Sequence, residues 1–189
     1  MQISYEINLP VDEKPKTQFQ ERLERGLNFE NEVAVYLEQI VDSPEHVEKY
    51  NKNTSNTYHQ VINGKVHKMP DFYGFDKEDN SVIYYIDMKC KNGAVSKKFN
   101  KNMANLTLKE IQNYMNVCKE RSVKLKIVFG CLKDRHVYVF DHETLQKPDD
   151  VVQYNNKYGN DTVCLYDFER AYAWDIGDKL NWDNFIATR

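Results

Sequence analysis

Residues 70–91, PDFYGFDKEDNSVIYYIDMKCK, hold two extended runs separated by a turn. Val82 to Cys90 is dense in branched and aromatic residues, the composition of a central strand. Lys77-Glu78-Asp79-Asn80-Ser81 is the turn that leads into it. Upstream, 57–63 and 65–75 also read as extended, with Asn63-Gly64 between them as a hairpin signal. Pro70 fits a place where a strand begins or its ladder is interrupted. Asp87 and Lys89 are two apart, so their side chains emerge on one face of the strand, about 6.5 to 7 Å apart along it. The hairpin brings Asp71 alongside. The bland alternative is that Asp87 and Lys89 form an ion-pair set on a solvated sheet face.

Outward from this strand, the pattern turns helical on both sides. A helix is predicted from Thr17 to about Val41, because Thr17 and Gln20 have the spacing of a capping box. Leu23, Leu27, Ala34, Leu37 and Val41 share one face at 100° per residue, and Glu30 falls in that stripe. A carboxylate there needs a compensating partner such as a metal ion, its bound water or an arginine. If this helix packs on the face of Asp87 and Lys89, Glu30 joins them. Ser43-Pro44-Glu45 reads as the start of a short helix through about Tyr50. Residues 2–9 read as a short strand, 51–56 as a polar loop, and 92–105 as a polar, basic loop with little periodicity. A helix from about Thr107 to Arg121 and strands near 124–130 and 136–141 follow. Beyond Pro148 the aromatics of 163–174 and 182–187 are expected to pack back onto the sheet.

The chain has 189 residues, 41% of them hydrophobic, which suits one domain with a core near 17–141 and a C-terminal extension over 142–189. No apolar run reaches membrane-spanning length and the start lacks a signal-type block, so an intracellular protein is expected. Cys90, Cys118, Cys131 and Cys164 are scattered, the pattern of reduced core thiols. The net charge of -3 hides an uneven distribution: residues 1–88 carry -7, 89–135 carry +9 and 136–189 carry -5. The basic third begins at Lys89. Lys91, Lys97, Lys98 and Lys101 are therefore candidate grips for a polyanion, since phosphate contacts come mainly from lysine and arginine.

These residue types suit one chemistry. Magnesium prefers a few carboxylate oxygens plus water and phosphate oxygens, so Asp71 and Asp87 suit a hard-cation site, with the Met88 carbonyl nearby. Lys89 then orients or deprotonates a water, or holds a phosphoryl oxygen.

Pro70-Asp71, a spacer of fifteen residues and Asp87-Met88-Lys89 resemble the PD-(D/E)xK nuclease superfamily. Gly26-Leu27-Asn28-Phe29-Glu30 followed by Val33 is similar to its first-helix signature, in which the glutamate joins the metal site. The resemblance covers about 17–141 and implies an α/β (α+β) fold, the restriction-endonuclease-like αβββαβ core, with a mixed central sheet flanked by helices. It implies a Mg2+- or Mn2+-dependent nuclease with Glu30, Asp71, Asp87 and Met88 at the metal, Lys89 at the water, and Gln112 on the following helix as a further site residue. No Gln-x-x-x-Tyr spacing starts at Gln112, since Tyr114 comes two residues later, which argues against the processive exonuclease branch. By analogy the leading subtype is a homodimeric DNA endonuclease of the resolvase or restriction type. Alternatives on the same core are an RNase, a single-strand exonuclease, or a non-catalytic module binding nucleic acid or protein. Restriction, repair and phage recombination are all compatible.

Overall fold

The computed structural model describes residues 17–47, 58–156 and 159–185; the expected strand at 2–9 and loop at 51–56 lie outside them. Helix α1 spans Gln18–Ala34 and opens on the predicted capping box, the Thr17 N–H donating to Gln20 Oε1 (2.8 Å) and the Gln20 N–H to Thr17 Oγ1 (3.3 Å). It stops seven residues short of Val41, passing into a 3-10 turn at Leu37–Gln39. The face it buries is centred on Phe29 and Val33, both fully inaccessible, whereas Leu23 of the expected stripe remains 41% exposed.

The segment after Ser43 is a strand, not the expected helix. Here β1 (Pro44–His46) pairs antiparallel with β4 (Phe72–Phe75). Ser43 has φ 37°, so it turns the chain into the sheet edge where a helix cap would be extended. Pairing with β4 satisfies the backbone over 44–46, and proline is accepted at the first residue of an edge strand. The Asn63-Gly64 hairpin forms as predicted between β2 (His59–Ile62) and β3 (Lys65–Lys68), with φ of 50° and 76° at the two turn residues. The expected single run 65–75 is split at Met69–Asp71. β3 stays with β2 in a two-stranded sheet, and β4 joins β5 (Val82–Lys91) in the main one.

Among the described residues the main sheet has six strands in the order β1-β4-β5-β8-β9-β12, with β8 at Lys124–Cys131, β9 at His136–Asp141 and β12 at Tyr172–Trp174. It is mixed: β5 and β8 run parallel through the helical crossover α2 (Leu108–Arg121), and the other neighbours are antiparallel. Thus α1, β1, β4, β5, α2 and β8 come in the order helix, three main-sheet strands, helix, strand, with two insertions: the β2–β3 hairpin before β4, and two strands of a second sheet over 94–107 between β5 and α2.

Residues 92–105 are not the expected loop. They form β6 (Ala94–Ser96) and most of β7 (Lys101–Thr107) in a second sheet ordered β10-β11-β7-β6, where β10 is Asp150–Asn156 and β11 is Gly159–Tyr166. This segment has little periodicity of its own; it becomes strand because β11, far along the chain, pairs with β7 from Val163↔Thr107 to Tyr166↔Ala104. The C-terminal residues therefore supply strands to both sheets. Their aromatics do pack back, Phe185 meeting Phe29 edge-on at 5.5 Å.

The two faces of the main sheet carry different helices. Phe29, Val33 and Leu37 cluster with Phe72, Ile86, Met88 and Val128 on one face. Ile111, Tyr114, Val117 and Cys118 of α2 cluster with Tyr85, Leu125, Ile127 and Phe129 on the other. No helix among the described residues is long and apolar enough to cross a membrane.

Candidate functional site

The site is built where β5 outruns its neighbour. Pairing between β4 and β5 ends at Phe72↔Ile86, so residues 87–91 extend past β4 while β8 continues beside them to Lys91↔Cys131. Asp71, just before β4, completes the ladder with its side chain: the Met88 N–H donates to Asp71 Oδ2 at 2.9 Å. Proline at 70 has no N–H to offer and ends the strand there.

Asp87 is fully buried on the α2 face. Lys89 Nζ donates to Asp87 Oδ2, and the Tyr114 hydroxyl donates to Asp87 Oδ1 at 2.7 Å. Glu110, one helical turn before Tyr114, lies 3.3 Å from Lys89 Nζ, accepts from Lys68 Nζ at 2.9 Å and from the Tyr114 hydroxyl at 3.3 Å. Asp87 and Lys89 are thus an ion pair, as the bland alternative had it, but a buried one embedded in a five-residue network.

Burial alone would favour neutral Lys89. The carboxylates of Asp87, Glu110 and Asp71 outweigh it and hold the ammonium well above its ordinary pKa. Burial likewise works against the Glu110 carboxylate, yet the charges of Lys89 and Lys68 hold it well below the usual range. Asp71 goes the other way. Burial, then the neighbouring Asp87 charge, raise it to about 7 despite Lys89 and the Met88 N–H. Tyr114 is pushed far up by burial and by Asp87 and Glu110, so it stays a donor.

A cavity of about 750 Å³ opens in front of this network. Asp71, Met88, Lys89 and Lys91 line its floor, and Glu30, Arg22 and Arg25 reach it from α1. Lys91 is half-buried; its desolvation, then the Lys89 charge, lower it to about 8, and it donates to the Asn105 carbonyl at 3.3 Å. Arg25 Nε and Asn105 Oδ1, both in the cavity wall, are buried without a hydrogen-bond partner among the described residues.

Of the residues expected at the site, Asp71, Met88, Lys89 and Glu30 meet in this cavity, while Asp87 sits behind Lys89. Glu30 arrives by a different route from the expected one. α1 packs on the Met88 face, opposite Asp87 and Lys89, and Glu30 reaches the cavity past the end of β4. Gln112 does not line the cavity; it is exposed on α2, and Glu110 and Tyr114 are the side chains that helix delivers. Their i, i+4 spacing on the buried face was the signal available in the sequence. Of the four candidate grips only Lys91 is in the wall. Lys97 and Lys98 are exposed at the β6–β7 turn, Lys98 over the Phe99 ring at 4.7 Å, and Lys101 is paired with Asp167 and Glu169.

Among the described residues no three His, Cys, Asp or Glu side chains converge as a metal-holding group. The donor set nevertheless suits a hard cation bound through two carboxylates with water completing its shell. Asp71 and Asp87 are close enough that one charge raises the pKa of the other, a repulsion that a cation relieves. Comparison of the chain with family models, with curated proteins and with solved structures returned no match.

Proposed function

We propose that this protein is a metal-dependent nuclease that hydrolyses phosphodiester bonds, with DNA as its substrate. The observation that carries the reading is the placement of Asp71 beside Asp87 and Lys89 at the floor of a cavity whose lining holds five cationic side chains against three acidic ones. The helix, three-strand, helix, strand order of the main sheet agrees with a restriction-endonuclease-like core. Asp71 and Asp87 would hold a magnesium ion, with the Met88 carbonyl nearby and Glu30 in the cavity lining placed to support a water of its shell; such an ion would stabilise charge on the phosphate and acidify a water.

The chain's own residues do the rest. Lys89, kept protonated by its two carboxylate partners, acts as a fixed positive charge toward a phosphoryl oxygen and not as a base. Glu110 and Tyr114 set its position from α2. Lys91 and Arg25 offer further charge to the phosphates on either side.

The test is cleavage of circular and linear DNA, junctions and RNA with Mg2+ or Mn2+, against an EDTA control. Asp71→Asn is the informative variant. Asparagine can still accept from the Met88 N–H and removes a repulsion, so it folds, and loss of cutting reports on chemistry. Unchanged cutting by Asp71→Asn removes the aspartate from the mechanism, and absence of cutting on every substrate removes the proposal.

A further inference from the structure

The mouth of the cavity is apolar and aromatic where its floor is charged. Phe19 and Leu23, one turn apart on α1, are 73% and 41% exposed, and both line the cavity. Among the described residues nothing covers this phenylalanine at the rim of a basic cavity. Arg22 and Arg25 lie on the same helix and line the same wall. Tyr58 also lines the cavity. Alternating aromatic surface and cationic side chains is the arrangement on which bases stack while phosphates are neutralised.

Volume narrows the substrate further. About 750 Å³ encloses a molecule of drug size, comparable to one or two nucleotides. Space of this order takes one or two nucleotides of a strand and not the full cross-section of a duplex.

We propose that the cavity admits nucleic acid as a single strand, one base stacking on Phe19 at the mouth and the adjoining phosphates lying along Arg22, Arg25 and Lys91 toward Lys89. The inference rests on the nuclease reading for the identity of the bound strand as substrate, and it favours the single-strand alternative over a dimer cutting both strands of a duplex. An arriving phosphate compensates the partial burial of Lys91.

Binding is measured first without metal, by fluorescence anisotropy of a labelled 12-mer of deoxythymidine and of a 12-base-pair duplex in EDTA. The single strand is expected to bind at least about tenfold more tightly. Phe19→Ala should weaken it roughly 5- to 150-fold, and Phe19→Trp should retain it, since stacking on either ring is of that order. Because Phe19 is exposed, both variants should keep the wild-type melting temperature. Arg25→Gln should flatten the slope of log K against log salt by about 0.7. Equal or tighter duplex binding, no binding of either probe, or an unaltered affinity in Phe19→Ala overturns the inference. Adding Mn2+ separates the two readings: single-strand binding retained with no cleavage of any substrate defeats the nuclease and leaves the single-strand site standing.

Discussion

Gly130→Ala tests how α1, and with it Glu30, is seated. Gly130 lies on β8 beside Cys90 of β5, and a methyl group added there would stand 2.4 Å from Phe29 Cε2 and 2.6 Å from Cζ. Carbon atoms prefer about 3.5 to 4.0 Å, so the ring has to retreat by roughly 1 Å. It has nowhere to go, being fully buried and held edge-on by Phe185, which Trp182 backs in turn at 5.7 Å. The displacement passes to α1. Overpacking of this kind costs about 1–3 kcal/mol, and alanine returns roughly 0.5 kcal/mol or more through the unfolded chain. A net loss of about 0.5–2.5 kcal/mol is expected in urea denaturation at unchanged m, or a fall in melting temperature of about 2–4 °C for each kcal/mol. Phe29→Leu should partly rescue it in a double-mutant cycle, with coupling on the order of 0.5–3 kcal/mol. A Gly130→Ala protein as stable as the parent, with no coupling to position 29, would refute the close approach of α1 to the sheet.

The buried charges give further tests. With Asp71 raised to about 7 in the folded protein and near 3.9 unfolded, the folded state takes up a proton that the unfolded chain does not as pH falls from 8 to 5. Stability should rise over that interval by up to about 1.4 kcal/mol per pH unit, and Asp71→Asn should abolish the rise; a parallel pH profile in the variant contradicts the assigned burial. Magnesium added at pH 8 should raise the melting temperature of the parent and not of Asp71→Asn, read by thermal denaturation. Removing Lys89 as Lys89→Ala leaves Asp87 buried without its cation, while Glu110 keeps Lys68, and should cost about 3–5 kcal/mol. Asp87→Asn in the same chain should recover part of that, whereas simple additivity in the cycle would mean the pair is not coupled.

The central strand, its turn and the Asn63-Gly64 hairpin were legible because their signals are local: branched residues, glycine and asparagine in turns, and alternation. The capping box of α1 was legible for the same reason. Three features were not. The strand at 44–46 and the β6–β7 pair owe their form to partners remote in sequence, β4 in one case and β11 in the other, and nothing within either segment announces it. Phe19 was not legible because helical periodicity ranks a residue by its neighbours on the wheel, and Phe29 and Val33, not Leu23, define the face that α1 buries.

A further gap concerns the faces of the sheet and bears on the site. Alternation put Asp87 and Lys89 together, correctly, and Met88 opposite, but alternation cannot say which helix covers which face. That is settled by connectivity. A parallel neighbour such as β8 requires a crossover between it and β5, and the crossing helix α2 lies over the Asp87 face. α1 is left with the other side, where Gly130 admits Phe29 against the strand. Glu30 could then meet Lys89 only around an edge, and the edge exists because β4 begins only at Phe72, after Pro70, while β5 runs on to Lys91. The proline-aspartate pair therefore does two things at once: proline halts the strand and opens the gap, and aspartate, in place of the missing carbonyl, satisfies the Met88 N–H at the gap's margin. Substituting alanine for Pro70 should lengthen β4 against β5 and narrow the cavity, which amide hydrogen exchange at Met88 and Cys90 would register as added protection at Cys90 alone.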